Sequence, residues 1–230
     1  MSILICDAKG SFSAAQRLKY QEMKEHPFII HVPHSSTYIP PEVRKDIILP
    51  DSDLEAELLK MTDWYTDELA QHIGSIYGSL IRYEYSRLVV DPERFRDPSK
   101  EVMNTVGMDA VYRSTSNKLK LRDLSSEKVG NLLRRYYDPY HALFNEKVTE
   151  ILQKNGKCLI VDIHFYASRP LPYELNPGEP RPDICIGADT LTSGLKMILR
   201  DSWNILISLK NFIVKRPKRA MPFYAILADC

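Results

Sequence analysis

Residues 28–36 read FIIHVPHSS. Phe28 to Val32 is short, apolar and β-branched, and Pro33 closes it, which predicts a buried strand. His34 then lies one residue past the proline, at the strand's carboxyl end. A second stretch has the same form. Cys158 to Ile163 reads CLIVDI and runs into His164, so a second buried strand also delivers an imidazole at its carboxyl end. Strands at Ser79–Tyr83, Leu88–Val90, Asp183–Ile186 and Phe212–Val214 are also predicted. The helices predicted between them cover residues 52–77, with a break near Thr62-Asp63, the segment after Ser125 up to Gly156, and 190–207. Gly78 and Gly156 fit helix stops, Ser125 fits an N-cap, and Pro139 should kink or split the long helix. Residues 91–122 are polar and irregular, and the proline-rich segment 168–182 reads as a loop.

Strands alternating with helices predict an α/β fold, a three-layer α/β/α sandwich around a mainly parallel or mixed sheet. The 230 residues are expected to form one domain, with 1–25 as an N-terminal extension and 215–230 as a divergent tail. In such folds ligands sit beyond the carboxyl ends of the strands. His34 and His164 are therefore expected on one rim of the sheet.

The chain carries 31 Lys and Arg against 30 Asp and Glu. No surplus of either sign points to nucleic acid or an acidic membrane surface. No apolar run approaches the roughly 20 residues of a membrane helix, and MSILICDAKG lacks the features of a secretory leader. A soluble, cytoplasmic protein is expected. The cysteines, Cys6, Cys158, Cys185 and Cys230, form no CxxC pair and are expected as buried thiols.

Two imidazoles on one rim invite a metal. A hydrolytic zinc site uses three ligands drawn from His, Asp and Glu and keeps one position for water. Asp63, Asp67 and Asp91 are the candidate carboxylates. Asp162 points away from Ile163 along its strand and is placed to orient a histidine from behind. His31 is expected to be structural, and His141 is within reach of the site from the long helix. Arg87 and Arg94 flank the Leu88–Val90 run, and guanidinium groups recognise carboxylates through a bidentate fork. The competing reading is that they pair with Glu84, Asp91, Glu93 or Asp97.

Taken in order, HVPHSSTYIP (31–40), TDWYTDEL (62–69), YSRLVVDPERF (85–95), YYDPYH (136–141) with LIVDIH (159–164), and RPDICIG (181–187) resemble the N-formylglutamate amidohydrolase family, related to the zinc carboxypeptidases and aspartoacylases. The resemblance implies a phosphorylase/hydrolase-like sandwich. It implies metal-dependent hydrolysis of a small N-acyl amino acid, with N-formyl-L-glutamate giving formate and glutamate as the named case. The implied metal is zinc, on His34, Asp63 and His164. Arg87 would act in catalysis with Asp162 behind the site, and Ser35, Arg87 and Arg94 would hold substrate.

The chain departs from the pattern in three places. Phe165 follows His164 where relatives often carry serine. Glu93, in DPER, stands where the pattern has a neutral amide. No glutamate follows Glu179, although relatives carry a general-base glutamate on a terminal strand. That last departure raises the alternative of a weakly active or non-catalytic relative that binds a carboxylate ligand.

Overall fold

The computed structural model describes residues 2–6, 12–21, 27–77, 79–175, 184–188 and 223–229. Its centre is three parallel strands. β3 (Phe28–Val32) lies between β4 (Ser79–Arg82) and β5 (Leu159–Phe165). β1 (Ser2–Cys6) and β2 (Phe12–Gln21) extend the sheet antiparallel beyond β4. On the other side β7 (Phe223–Asp229) runs antiparallel to β5 and parallel to β6 (Ile184–Ala188). The order is β1-β2-β4-β3-β5-β7-β6, a mixed sheet as expected.

Alternation along the central strands divides the core into two layers. Ile30 and Val32 of β3, with Val161 and Ile163 of β5, pack on Leu69, Ala70 and Ile73 of α3 (Thr66–Tyr77). Ile29 and Ile81 face the other way, onto Leu132, Leu133, Tyr136, Tyr140 and Leu143. Those residues lie on one helical run made of α4 (Ser126–Leu132), a π segment (Leu133–Tyr137) and α5 (Asp138–Asn155). Helices thus cover both faces. Each fully buried Ile or Leu side chain contributes roughly 1.5–3 kcal/mol.

Local signals hold where the sequence is most explicit. Ser125 Oγ accepts from the Lys128 backbone N–H, and Gly156 closes α5 at φ +71°. The expected split at Pro139 is made by the π segment, which ends two residues before the proline and leaves it in the first turn of α5, where its missing N–H costs nothing. The break at 62–63 separates α2 (Asp51–Met61) from α3. Cys158 is buried as expected.

Two expectations are corrected. Leu88–Val90 is a turn, not a strand, although all three residues are fully buried. Val89 N–H donates to the Ser86 carbonyl and Asp91 N–H to the Ala110 carbonyl, so local partners satisfy the backbone. A three-residue apolar run cannot distinguish these outcomes. β5 reaches Phe165, so His164 is its penultimate residue and does not lie beyond it. Within the segment expected as a divergent tail, Phe223–Asp229 pairs along the whole of β5. Gly78, the 190–207 helix and the Phe212–Val214 strand fall outside the described residues.

The irregular segment 91–122 is held by a core of its own. Met103, Met108, Tyr112 and Leu121 pack with Leu54 and Met61 of α2. Within it, Gly107 ends a 3₁₀ turn (Val102–Val106) at φ +74°, and a Cβ there would stand 2.4 Å from Ser114 Oγ. Gly107→Ala is expected to destabilise the fold by about 1–3 kcal/mol through backbone strain and the clash. A chemical-denaturation midpoint unchanged from the parent would refute this.

Candidate active site

The carboxyl ends of β3 and β5 are adjacent, and the imidazoles of His34 and His164 lie with ring centres 5.3 Å apart. Asp63 comes from the break between α2 and α3, where its backbone N–H donates to the His34 carbonyl. That bond ties the interhelix corner to the residue after Pro33. Asp63 Oδ2 is 3.0 Å from His164 Nδ1 and 3.6 Å from His34 Nδ1.

The opposite nitrogen of each ring is anchored by another carboxylate. His34 Nε2 is 2.9 Å from Asp91 Oδ1, and His164 Nε2 is 3.0 Å from Glu93 Oε1. Both histidines thus turn Nδ1 toward one carboxylate oxygen while a second carboxylate fixes the far side of the ring. This is the arrangement that orients imidazole ligands of a metal. His34 Nδ1 is buried and has no hydrogen-bond partner, a costly state for a ring nitrogen unless a cation takes its lone pair. The donor set of two imidazoles and one carboxylate fits a divalent cation, and zinc suits it.

Asp91 is the hub behind the site. It is fully buried. Its Oδ2 accepts from Arg87 Nη2 at 2.8 Å and Nε at 3.3 Å and from the Tyr112 hydroxyl, and stands 3.5 Å from Arg94 Nε. Against the cost of burial, Arg87 and His34 hold its carboxyl well below the usual carboxylate range. Asp63 is likewise held down, against burial, by the imidazoles of His164 and His34. Burial and the Arg87 charge pull His34 down, but Asp91, Glu93 and Asp63 carry it above its ordinary value. His164 is carried well above its own, against burial, mainly by Glu93, Asp162 and Asp63. Burial and the neighbouring Asp162 push Glu93 up. The cluster has an excess of negative charge that protonated imidazoles neutralise and that a bound cation would neutralise in their place.

A second network runs from the rear. His31 and Asp162 are register partners on β3 and β5, and His31 Nδ1 is 2.9 Å from Asp162 Oδ1. His31 Nε2 bonds the Tyr140 hydroxyl, and Asp162 Oδ1 is 3.3 Å from His164 Nε2.

Next to the cluster is a cavity of about 590 Å³. His34, Asp63, Arg87, Glu93 and His164 form its polar wall, with Trp64, Phe165, Tyr166 and Tyr173 on the apolar one. Arg87 is ion-paired to Asp91 and also lines the cavity. Arg94 pairs with Asp91 and Glu101 and does not line it. Ser35 is half-buried beside His34, outside the lining. Asp67 bonds Arg82, and His141 bonds the Pro92 carbonyl. Sequence reasoning missed the anchoring by Asp91 and Glu93. The signal was present in DPER, where two acids flank a proline directly after an apolar run.

Comparison with known proteins gives a family and a shared fold. The sequence model described as N-formylglutamate amidohydrolase matches residues 26–202. N-formylglutamate deformylases of Pseudomonas putida and Pseudomonas aeruginosa are 26% identical over 145 residues, 62% of this chain. The matched part spans about half of each relative, 52% and 53%. The solved N-formylglutamate amidohydrolase of Ralstonia eutropha superposes with a TM-score of 0.66 at 19% identity, covering 91% of this chain and 85% of that one. A gene product of Agrobacterium tumefaciens gives 0.59 at 15% identity, covering 92% and 83%. These two likenesses establish the shared fold.

Proposed function

Because the chain belongs to the N-formylglutamate amidohydrolase family, we propose that it is a cytoplasmic, metal-dependent amidohydrolase that cleaves the amide bond of a small N-acyl amino acid, N-formyl-L-glutamate being the first substrate to test. The observation that carries this reading is the convergence of His34 Nδ1 and His164 Nδ1 on Asp63 Oδ2, with each Nε2 held by a carboxylate. His34, Asp63 and His164 would hold one zinc ion. Bound there, the metal would polarise the acyl carbonyl and make water a nucleophile near neutral pH.

The chain's own residues set the rest. Asp91 and Glu93 keep both rings in the tautomer and orientation that present Nδ1. Asp162, behind His164, supports the same orientation. Arg87 is fixed by Asp91 and Tyr112, so its guanidinium meets the cavity without reorganising when substrate carboxylate or developing oxyanion charge arrives. Arg94 acts through Asp91. Trp64, Phe165 and Tyr166 on the apolar wall exclude water from the acyl group. Arg87→Lys keeps the charge but loses the planar fork. It is expected to raise KM about tenfold or more, as a charge-assisted hydrogen bond is worth roughly 1.5–3 kcal/mol. Unchanged KM with N-formyl-L-glutamate would remove Arg87 from substrate binding.

The test is hydrolysis of N-formyl-L-glutamate and of a panel of N-acetyl and N-formyl amino acids by untagged protein, with and without a chelator. Chelator-sensitive release of the free amino acid supports the reading. Carboxylate binding with no turnover of any member would favour the alternative of a non-catalytic relative that binds a carboxylate ligand.

A further inference from the structure

We propose that His31, Glu93 and Asp162 form a second divalent-cation site directly behind the first, an inference that rests on the His34–Asp63–His164 reading. One ligand atom from each of the three residues lies within 4.8 Å of the other two. The second site repeats the construction of the first. His31 turns Nδ1 to Asp162 at 2.9 Å, while its Nε2 is anchored from behind by the Tyr140 hydroxyl. The anchor comes from α5, which packs on the face of the sheet carrying His31 and Asp162.

An independent observation marks the spot. Asp162 Oδ1 is buried and has no hydrogen-bond partner. It stands 2.9 Å from His31 Nδ1 and 3.3 Å from His164 Nε2, yet neither approach has hydrogen-bond geometry. A buried carboxylate oxygen without a donor is expensive, and a cation between it and the imidazole removes the cost. The charge count agrees. Arg87 and Arg94 both turn to Asp91. Arg94 also pairs with Glu101, so among the described residues the two arginines are balanced by Asp91 and Glu101, and Asp63, Glu93 and Asp162 leave three negative charges around the three imidazoles against the two positive charges of one divalent ion. Glu93 lines the cavity, which gives the ion a way in. One imidazole and two carboxylates suit zinc or manganese.

The site also gives His31 a reason to be where it is. A strand residue whose only task was packing would not require an imidazole against Asp162.

The experiment is zinc stoichiometry. Untagged protein is stripped of metal, dialysed against saturating zinc, cleared of free ion and measured by elemental analysis, beside His31→Gln. Two zinc per chain in the parent and one in His31→Gln are expected. One zinc in the parent would overturn the second site, leave the first standing and reduce Asp162–His31–Tyr140 to a positioning network. No zinc in the parent would overturn both. Two zinc in both proteins would place the second ion elsewhere and also overturn the proposal. If circular dichroism shows His31→Gln unfolded, His31→Asn takes its place with the same expected loss of one equivalent.

Discussion

His34→Ala is expected to abolish metal retention at the His34–Asp63–His164 site and to lower hydrolysis by at least about 10³-fold, the scale on which loss of a preorganised electrostatic stabiliser acts. Deleting the ring does more than remove a donor. Asp91 Oδ1 is left with only the Glu93 backbone N–H, and Asp63 Oδ2 loses one of the two imidazoles that hold it ionised. The remaining pair, Asp63 and His164, offers two ligands, too few for a hydrolytic zinc site. The fold itself should survive, because His34 lies beyond β3 and contributes to none of the three apolar clusters. Metal content by elemental analysis and turnover with N-formyl-L-glutamate give the result. A His34→Ala protein that kept both would exclude His34 as a ligand.

Asp91→Asn should be the more damaging substitution for the fold. Asp91 is buried completely and faces Arg87, Arg94, Tyr112 and His34. Removing its charge leaves the Arg87 guanidinium buried without a counter-ion, a change that costs about 3–5 kcal/mol. For a chain of this length that corresponds to a fall in Tm of about 6–20 °C. The same substitution releases the His34 ring and is expected to cut metal affinity roughly 10–100-fold. The pH dependence identifies the cause. Arg87 and His34 hold the Asp91 carboxyl, despite its burial, well below its unfolded value. Its stabilisation is therefore complete above about pH 4 and fades as the pH falls toward the folded value. Asn does not titrate, so the deficit should be largest near neutrality and should narrow in acid. Thermal unfolding of the metal-free proteins between pH 3 and pH 7 measures this. A deficit constant across that range would mean that packing, not charge, was lost.

The parts of the fold legible in the sequence are those where one residue dictates the local outcome. Pro33 ends a strand, Ser125 starts a helix, Gly156 stops one and Pro139 interrupts one. His34 and His164 were readable because strand ends project toward the ligand rim, a rule of topology that needs no partner to be known. Leu88–Val90 was misread because burial alone produces the same letters in a turn as in a strand. The pairing of β1, β2 and β7 depends on register with segments far along the chain, and no short window encodes that. The roles of Asp91 and Glu93 were illegible for a related reason. The sequence offers Asp91 as a candidate ligand or arginine partner and Glu93 as a departure from the family pattern, and only the closeness of β3 to β5 sets one against His34 and the other against His164.

The position of β7 has a consequence for how the chain is made. It inserts between β5 and β6, so β5 cannot be paired on both sides until residues 223–229 have been synthesised. At about 5–20 residues per second, the stretch from Phe165 to Phe223 takes roughly 3–12 s to emerge. Throughout that interval the strand that carries His164 presents one open hydrogen-bonding edge, a template for mispairing with another nascent chain. The strand that places the chemistry is therefore among the last to be closed, and the yield of folded protein depends on how long that edge stays open.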